Sequence, residues 1–278
     1  MADVGDLKIG PKHPVLIMGV INLSPESFYK GSIAENPDEF LVMLERTVLD
    51  GADIIDVGGA STAPKNVYST SEISREEEIT RVTAALESIG DIKQPISIDT
   101  TSAAVAEAAL DLGASMVNDV SGFRLDSEMA ELVADRSVPV VLMANCGAPC
   151  TSIEASLSSL EGSLTIAREH EIDSKMIILD PGIGFGKPPE VDLEILRNLD
   201  RYADLGFPLL VGVSRKAFIG HVLEQDSPDD RLIGTIAATA IAVMNGANII
   251  RAHDVKDAKI AARLGSAMRK HWSMSGSL

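Results

Sequence analysis

The stretch Pro14-Val15-Leu16-Ile17-Met18-Gly19-Val20-Ile21 is an apolar run of strand length that ends at a polar residue, Asn22. Similar runs rich in Val and Ile recur along the chain, separated by longer stretches whose apolar residues fall at helical spacing. This alternation predicts a parallel sheet with crossover helices, because strands buried on both faces are apolar throughout. The runs lie at residues 14–21, 53–57, 95–98, 115–117, 138–143, 176–179, 208–213 and 248–250.

The segments between and after these runs have the lengths of helices. They are residues 38–49, 74–89, 103–112, 127–133, 156–170, 191–202, 230–244 and, after the last strand, 258–271. Eight consecutive βα units favour a closed barrel over an open doubly wound sheet. Gly51, Gly113 and Gly246 stand where helices should end, and glycine can adopt the left-handed C-cap conformation there. We predict an α/β fold, a (β/α)8 TIM barrel over about residues 14–271, in a single domain spanning residues 1–278.

Composition narrows the classes of partner. With 24 Lys and Arg against 41 Asp and Glu, the formal net charge is −17, which argues against a nucleic-acid groove or an anionic membrane surface. The N-terminus lacks a basic segment followed by an apolar one, and no apolar run approaches the ~18 residues of a membrane span. We therefore predict a cytoplasmic protein.

The two cysteines, Cys146 and Cys150, are four residues apart and could suggest a metal or redox pair. No second Cys/His pair lies nearby in the sequence to complete a tetrahedral site, so a structural metal is disfavoured.

Polar residues follow every predicted strand. In chain order they are Asn22, Asp56, Asp99, Asn118 with Asp119, Asn145, Asp180, Ser214-Arg215-Lys216, and Arg251 with His253-Asp254. A single Asp or Asn in such a place is often only a helix cap or a turn residue. Because barrel active sites lie at the C-terminal ends of the strands, the full ring predicts a ligand that presents several matching donors and acceptors.

Two kinds of ligand group fit this ring. A planar heterocycle with an amidine-like edge suits Asp99, Asn118 and Asp180, and Lys216 could donate to its opposite edge. An oxyanion suits Arg251 and His253, which are two residues apart and should project to the same side, with Ser214 and Arg215 nearby. A surface salt bridge between Arg251 and Asp254 is the competing interpretation.

Three segments rich in Gly, Ser or Pro surround the predicted mouth. Residues 22–31 and 58–64 follow the first two strands, and their length at a barrel mouth predicts mobile, functional lids rather than passive linkers. In residues 180–187 the glycines allow backbone to approach a ligand, with Phe185 as a stacking wall. That last run is not a phosphate loop, because it lacks the Lys-Ser/Thr ending and the spacing of that motif.

Over nearly its whole length the chain resembles dihydropteroate synthases, the pterin-binding enzymes of folate biosynthesis. The motifs are residues 18–28, 97–100 and 180–187, together with Ile54-Ile55-Asp56-Val57-Gly58-Gly59, Val117-Asn118-Asp119-Val120, Val213-Ser214-Arg215-Lys216 and Arg251-Ala252-His253-Asp254. In that family a 6-hydroxymethyl-dihydropterin diphosphate loses its diphosphate in a largely dissociative step, and an arylamine attacks the exposed methylene carbon.

The resemblance also implies roles for individual residues. For pterin binding it implies Asp99, Asn118, Asp180 and Lys216, flanked by Met143, Phe185, Val120 and Gly212. For the diphosphate it implies Asn22, Ser214, Arg251 and His253, with Mg²⁺ bound at Asn22, and for catalysis Asp99, Lys216, Arg251 and His253. The arylamine acceptor is expected at loop residues Lys30, Ser61 and Thr62, and the family expectation is a homodimer.

Four residues, in three segments, depart from the family pattern. Lys30 replaces the usual Asp of the first loop, Ala63 replaces the usual Arg of the second, and Ala144-Asn145 replaces a His-Met pair. The first loop instead resembles that of archaeal relatives associated with methanopterin-type cofactors. We hypothesise that Lys30 serves a different aryl acceptor, one bearing a phosphate, because the charge at this position is reversed.

Two other functions compete. A methyltetrahydropterin methyltransferase resembles this barrel and passes a methyl group to a corrinoid protein, but it needs no diphosphate clamp such as the one predicted around Ser214 and Arg251. A non-catalytic pterin-binding protein would fit the substituted loops, although an anion clamp at a strand-end site is difficult to explain without phosphate chemistry.

Overall fold

The computed structural model describes residues 1–25, 27, 29–61, 73–147 and 150–269. Thr62 and Ala63, which the sequence places in the second loop, lie outside the described residues.

Eight parallel strands form the barrel that the apolar runs predict. After the short strands β1 (Ala2–Val4) and β2 (Leu7–Ile9), the strands of the barrel are β3 (Leu16–Asn22), β4 (Ile54–Gly58), β5 (Ile96–Asp99), β6 (Met116–Asp119), β7 (Val140–Met143), β8 (Ile177–Asp180), β9 (Leu210–Val211) and β10 (Ile249–Ala252). Strand β3 pairs with β4, and pairing then continues in chain order to β8, while β10 pairs with both β9 and β3. A parallel bridge between Leu179 and Leu209 joins β8 to the residue before β9 and completes the ring.

The helices cover the outside of this ring. They are α1 (Pro37–Leu49), α2 (Arg75–Glu87), α3 (Ala103–Asp111), α4 (Met129–Arg136), α5 (Ile153–Glu169), α6 (Pro189–Arg197), α7 (Leu199–Ala203), α8 (Ala217–Leu223), α9 (Leu232–Met244) and α10 (Val255–Met268). The prediction of one helix over 191–202 is wrong, because two helices, α6 and α7, cover this segment. Asn198, between them, departs from helical backbone angles, and its side chain donates to the Glu194 carbonyl. Among the described residues no helix combines the length and apolarity that a membrane crossing requires.

Strand alternation divides the barrel interior into a core layer and a polar layer. Ile54, Met116, Ile178 and Ile249 belong to the buried cluster inside the ring. Two residues after each of these lies a polar side chain on the same face: Asp56, Asn118, Asp180 and Arg251. The apolar core therefore lies directly beneath the ring of polar side chains.

A hairpin that the sequence analysis did not identify packs against the other end of this core. Strands β1 (Ala2–Val4) and β2 (Leu7–Ile9) pair antiparallel. Ala2, Val4 and Ile9 are fully buried in the same cluster as Leu16 and Ile249. The hairpin thus covers the bottom of the barrel, and the polar mouth is left as the open end.

Candidate active site

Arg251 is the centre of the polar ring. Its Nε and Nη2 atoms each lie 2.6 Å from a carboxylate oxygen, of Asp56 and Asp99 respectively. Asn118 donates from Nδ2 to the same Asp56 oxygen over 3.2 Å. Burial alone disfavours a charged guanidinium, but the two carboxylates outweigh it and raise the pKa of Arg251 above its usual value. Four strands are thereby linked at one point, and the alternative pairing of Arg251 with Asp254 is wrong.

Asp56 contributes more to this centre than the sequence analysis assigned. Its side chain is completely buried, and within the described part of the chain its Oδ1 atom has no hydrogen-bond partner. An unsatisfied buried carboxylate oxygen costs free energy unless a ligand supplies a donor. The signal for Asp56 was its place at the end of a strand, the same as that of Asp99.

The loop after β8 joins the ring through Asp180 and Lys216. Asp180 accepts from the amide of Gly182 over 2.7 Å, while Lys216 donates to the Ile183 carbonyl and its Nζ lies 4.5 Å from the centre of the Phe185 ring. Burial raises the pKa of Asp180 and lowers that of Lys216 to about 8. The predicted heterocycle site therefore has a buried acid, an amine of reduced basicity and an aromatic wall.

Asp192, on α6, supports this loop although the sequence analysis did not single it out. It is almost fully buried, and its Oδ1 accepts from the Gly184 amide over 2.8 Å. Burial raises the pKa of Asp192 to about 6. Gly184 is in the left-handed region at φ 77°, and a Cβ there would lie 2.3 Å from Cδ of Lys216, so the loop requires glycine at this position.

His253 and Ser214 form the second half of the site. The Ser214 hydroxyl is 2.9 Å from Nδ1 of His253 and accepts from the His253 backbone amide over 3.2 Å. A hydroxyl that accepts from the amide can donate to Nδ1, which leaves the ring proton on Nε2. Burial, together with Arg251, Arg215 and Lys216, lowers the pKa of His253 to about 3, so the ring is neutral near pH 7.

This low pKa predicts acid lability. His253 stays neutral in the folded protein down to about pH 3, whereas the unfolded chain takes up the proton near pH 6.5. The stability contributed by the neutral ring is therefore lost as the pH falls from 6.5 towards 3. We expect H253Q to flatten the fall of the free energy of unfolding between pH 6.5 and 4, as measured by urea denaturation. H221Q, which alters an exposed histidine, is the matched control, and an H253Q slope equal to that of the parent contradicts the assignment.

Arg215 does not serve an anion as the sequence analysis expected. Its Nε and Nη2 bind Asp254 over 2.8 and 2.9 Å, and its Nη1 donates to the carbonyls of Pro228 and Asp229. The guanidinium nitrogens therefore donate to groups of the protein itself. The flat face of the guanidinium is the surface that another group can contact.

The structure also describes most of the remaining predicted residues. Met143 and Gly212 are buried, Val120 is half-buried, and a Cβ on Gly212 would lie 3.8 Å from Lys216 Nζ and 3.7 Å from Arg251 Cβ. Asn22 donates to Ser32 over 2.7 Å. Exposed Lys30 donates to the Pro25 carbonyl of its own loop, and Ser61 is half-buried at the start of the second loop.

Cys146 and Cys150 are joined by a disulfide across the loop after β7, with Cα atoms 5.5 Å apart. Within the described residues no group of three or more His, Cys, Asp or Glu side chains is placed to hold a metal ion. The two cysteines are therefore bonded to each other in this structure.

Comparisons with known proteins identify the family. The family of pterin binding enzymes matches residues 18–253. The chain belongs to this family. It is 39% identical over 260 residues to the dihydropteroate synthase of Bacillus subtilis, covering 92% of this chain and 90% of that one. To the dihydropteroate synthase of Clostridium beijerinckii it is 40% identical over 267 residues, covering 93% and 97%.

Solved structures agree. The dihydropteroate synthase of Clostridium difficile, crystallised in the presence of pteroic acid, matches with a TM-score of 0.85 and 39% identity, over 94% of this chain and 98% of that one. The (β/α)8 barrel and the resemblance to dihydropteroate synthases, a family of transferases, are therefore confirmed.

Proposed function

We propose that the protein condenses 6-hydroxymethyl-7,8-dihydropterin diphosphate with an arylamine, 4-aminobenzoate or a related acceptor, and releases diphosphate. The observation that carries the proposal is the Arg251 centre, in which Asp56 and Asp99 meet one guanidinium within 2.6 Å at the polar end of the barrel. The ion pair joins Asp99 of the predicted heterocycle site to Arg251 of the predicted anion site. It can therefore hold the pterin ring and the diphosphate of one substrate in fixed positions relative to each other.

The pterin ring is assigned to the Asp180 side of the centre. The carboxylates of Asp99 and Asp180 accept from N–H groups of its amidine edge, and the Asn118 amide can accept and donate there. The buried Oδ1 of Asp56 is a further acceptor for such an N–H group. When the pterin binds, the Lys216 ammonium exchanges its bond to the Ile183 carbonyl for one to the pterin ring. The distance it moves is short, because the ammonium already lies over the Phe185 ring that forms one wall of the site. Met143, Val120, Gly212 and Phe185 form the walls.

The diphosphate is assigned to Asn22, Ser214, Arg251 and His253. A neutral His253 carrying its proton on Nε2 donates to an oxyanion without becoming a cation. Magnesium fits this arrangement: Asn22 uses its Nδ2 on Ser32, which leaves the carbonyl oxygen Oδ1 for a hard cation. When bound, Mg²⁺ would neutralise charge on the diphosphate, with most of its ligands coming from the substrate and water.

The chemical step needs charge stabilisation more than proton transfer. The bond between the methylene carbon and the diphosphate oxygen breaks, and its electron pair leaves on the diphosphate. The arylamine nitrogen forms the new bond to that carbon and then loses a proton. Arg251 and His253 stabilise the leaving group, while the carboxylates around the ring stabilise the electron-poor pterin.

The acceptor is the part of the function that the loops decide. Lys30 is exposed and, among the described residues, donates to a carbonyl of its own loop, so its ammonium is available to an acidic group on an acceptor. We propose an aryl acceptor that carries a phosphate. Parallel assays with 4-aminobenzoate and a phosphoribosyl-aminobenzene, on the parent and on K30D, test this. We expect K30D to shift preference towards 4-aminobenzoate, and efficient use of 4-aminobenzoate alone by the parent contradicts the phosphate proposal.

A methyltransferase acting on a methyltetrahydropterin is the second candidate. The two functions share the ring site, but the Ser214, His253 and Arg251 group has no task in methyl transfer. Release of diphosphate, measured with a coupled phosphate assay, separates them.

We also propose a homodimer. Helices α9 and α10 pack against each other and expose apolar side chains, namely Ile233, Ile241, Ile260, Leu264 and Met268. Apolar residues concentrated on one surface are typical of an oligomer interface. We expect the parent to sediment as a dimer at micromolar concentration and the I260E/L264E variant as a monomer. L125E, at an exposed leucine in another part of the chain, should leave the dimer intact, and a monomeric parent contradicts the proposal.

A further inference from the structure

Tyr29, in the first loop, contacts residues on the anion side of the site. Its ring centre lies 5.1 Å from that of His253, with the planes tilted by 59°. The guanidinium carbon of Arg215 lies 4.4 Å from the same ring centre. One aromatic side chain of the loop therefore contacts two residues of the barrel wall at once.

The barrel provides a fixed platform for this ring. Arg215 is 5% exposed, and its guanidinium N–H groups donate to Asp254 and to backbone carbonyls. These bonds fix the orientation of its flat face. Its backbone is left-handed at φ 55°, and its amide is bound by Thr235 Oγ1 over 2.9 Å. A strained backbone that is held by specific bonds indicates a position under functional demand. The guanidinium face then offers Tyr29 a cation–π contact.

Hydrogen bonds through Ser32 link Tyr29 to Asn22, the proposed diphosphate residue at the end of β3. The Ser32 hydroxyl donates to the Tyr29 carbonyl over 3.0 Å and accepts from Asn22 Nδ2 over 2.7 Å. The tyrosine ring folds over Gly31, where a Cβ would lie 2.6 Å from the ring carbon Cζ. Lys30 stands between these two residues, so the anchoring of Tyr29 also fixes where Lys30 leaves the loop.

We propose that Tyr29 is the positioning residue that anchors the first loop to the barrel and thereby orders Asn22, Ser32 and Lys30 around the diphosphate. It acts through its ring, which stacks on Arg215 and packs against His253. Tyr29 does not touch the reacting atoms and takes no part in proton transfer. The inference rests on the proposed function, since it assumes that the diphosphate lies beside His253.

Three variants of the full chain test this inference: Tyr29→Phe keeps the ring, Tyr29→Leu keeps much of the volume without aromaticity, and Tyr29→Ala removes both. The dissociation constants of 6-hydroxymethyl-dihydropterin diphosphate with Mg²⁺ and of 6-hydroxymethylpterin without diphosphate are measured by calorimetry. We expect Tyr29→Leu and Tyr29→Ala to weaken binding of the diphosphate about tenfold, the size of one partly desolvated cation–π contact. Tyr29→Phe should stay within about twofold, and binding of the plain pterin should not change.

Hydrogen exchange supplies a readout that is independent of substrate. The amides of Ser32 and Ile33 donate to the carbonyls of Tyr29 and Lys30. Both should exchange faster in Tyr29→Leu and at the parent rate in Tyr29→Phe.

The outcomes separate the two proposals. A parent that binds neither pterin contradicts the proposed function, whereas the exchange rates still test the anchor. Normal diphosphate binding and normal exchange in Tyr29→Leu overturn the anchor while leaving the proposed function intact. Equal losses in Tyr29→Phe and Tyr29→Leu also overturn it, because the hydroxyl rather than the ring would then carry the effect.

Discussion

Replacement of Arg251 by leucine is expected to lower turnover about 10²–10³-fold and to destabilise the fold. Arg251 is the shared partner of Asp56, which is fully buried, and of Asp99, which is nearly so. Removal of one partner from a buried ion pair costs about 3–5 kcal/mol, because it leaves uncompensated charge. Loss of a donor that stabilises developing charge costs about 10²–10³-fold in rate. Urea denaturation and diphosphate release measure the two effects.

The chain offers a matched control for this prediction. Arg136 also contacts two carboxylates, Glu107 and Asp111, but all three side chains are at least 37% exposed. Surface pairs contribute only about 0–1 kcal/mol, so R136L should have a small effect on stability and none on turnover. R251K tests the geometry, because one ammonium cannot reproduce the two-pronged contact of the guanidinium. If R251L were no less stable than R136L, the central position assigned to Arg251 would be wrong.

Lys216→Met should give the second large loss. The variant keeps a side chain of similar length over Phe185 but removes the ammonium, and we expect kcat/KM to fall by about 10²-fold or more, as for other preorganised electrostatic contacts. Its pKa of about 8 also predicts the pH dependence of the parent: activity should decline as the pH rises through 8, where the ammonium loses its proton. In K216M the rate should not show this decline.

Stability should respond to Lys216 in the opposite direction. The unfolded chain holds the lysine proton up to about pH 10.5, whereas the folded state releases it near pH 8. The unfolded state therefore binds more protons between these values, and the contribution of Lys216 to the free energy of unfolding rises with pH across that window. Loss of the rate decline above pH 8 in K216M, with a flatter stability profile from pH 8 to 10, confirms the assignment. A parent rate that stays constant to pH 10 contradicts it.

The barrel was predictable because its information is local. Each apolar run ends at a polar residue, and strand alternation alone puts Asp180 above Ile178 and Arg251 above Ile249. Helix ends were equally local: Gly51, Gly113 and Gly246 all have positive φ where the pattern placed C-caps. The short N-terminal hairpin was missed because three-residue strands carry too little periodicity to be recognised.

The pairings within the site were not predictable in the same way. Arg251 and Asp56 are 195 positions apart, and nothing in the local sequence favours Asp56 over the neighbouring Asp254 as the partner of Arg251. Closure of the barrel decides that choice, because β3 separates β10 from β4 by only one strand. Arg215 was misassigned for a related reason: its partners Pro228 and Asp229 belong to the segment before α9, and sequence spacing does not show that this segment folds back.

The proposed function requires that one site hold a pterin diphosphate and transfer its pterin to an arylamine. The most direct measurement is a single reaction of the purified protein with 6-hydroxymethyl-7,8-dihydropterin diphosphate, Mg²⁺ and arylamine, in which diphosphate and the pterin–arylamine adduct are quantified together. We predict equal molar amounts of both products with the parent, no adduct when the arylamine is omitted, and adduct formation reduced about 10²–10³-fold when R251L replaces the parent. Absence of the adduct with every arylamine, while the pterin diphosphate still binds, would contradict the proposed function.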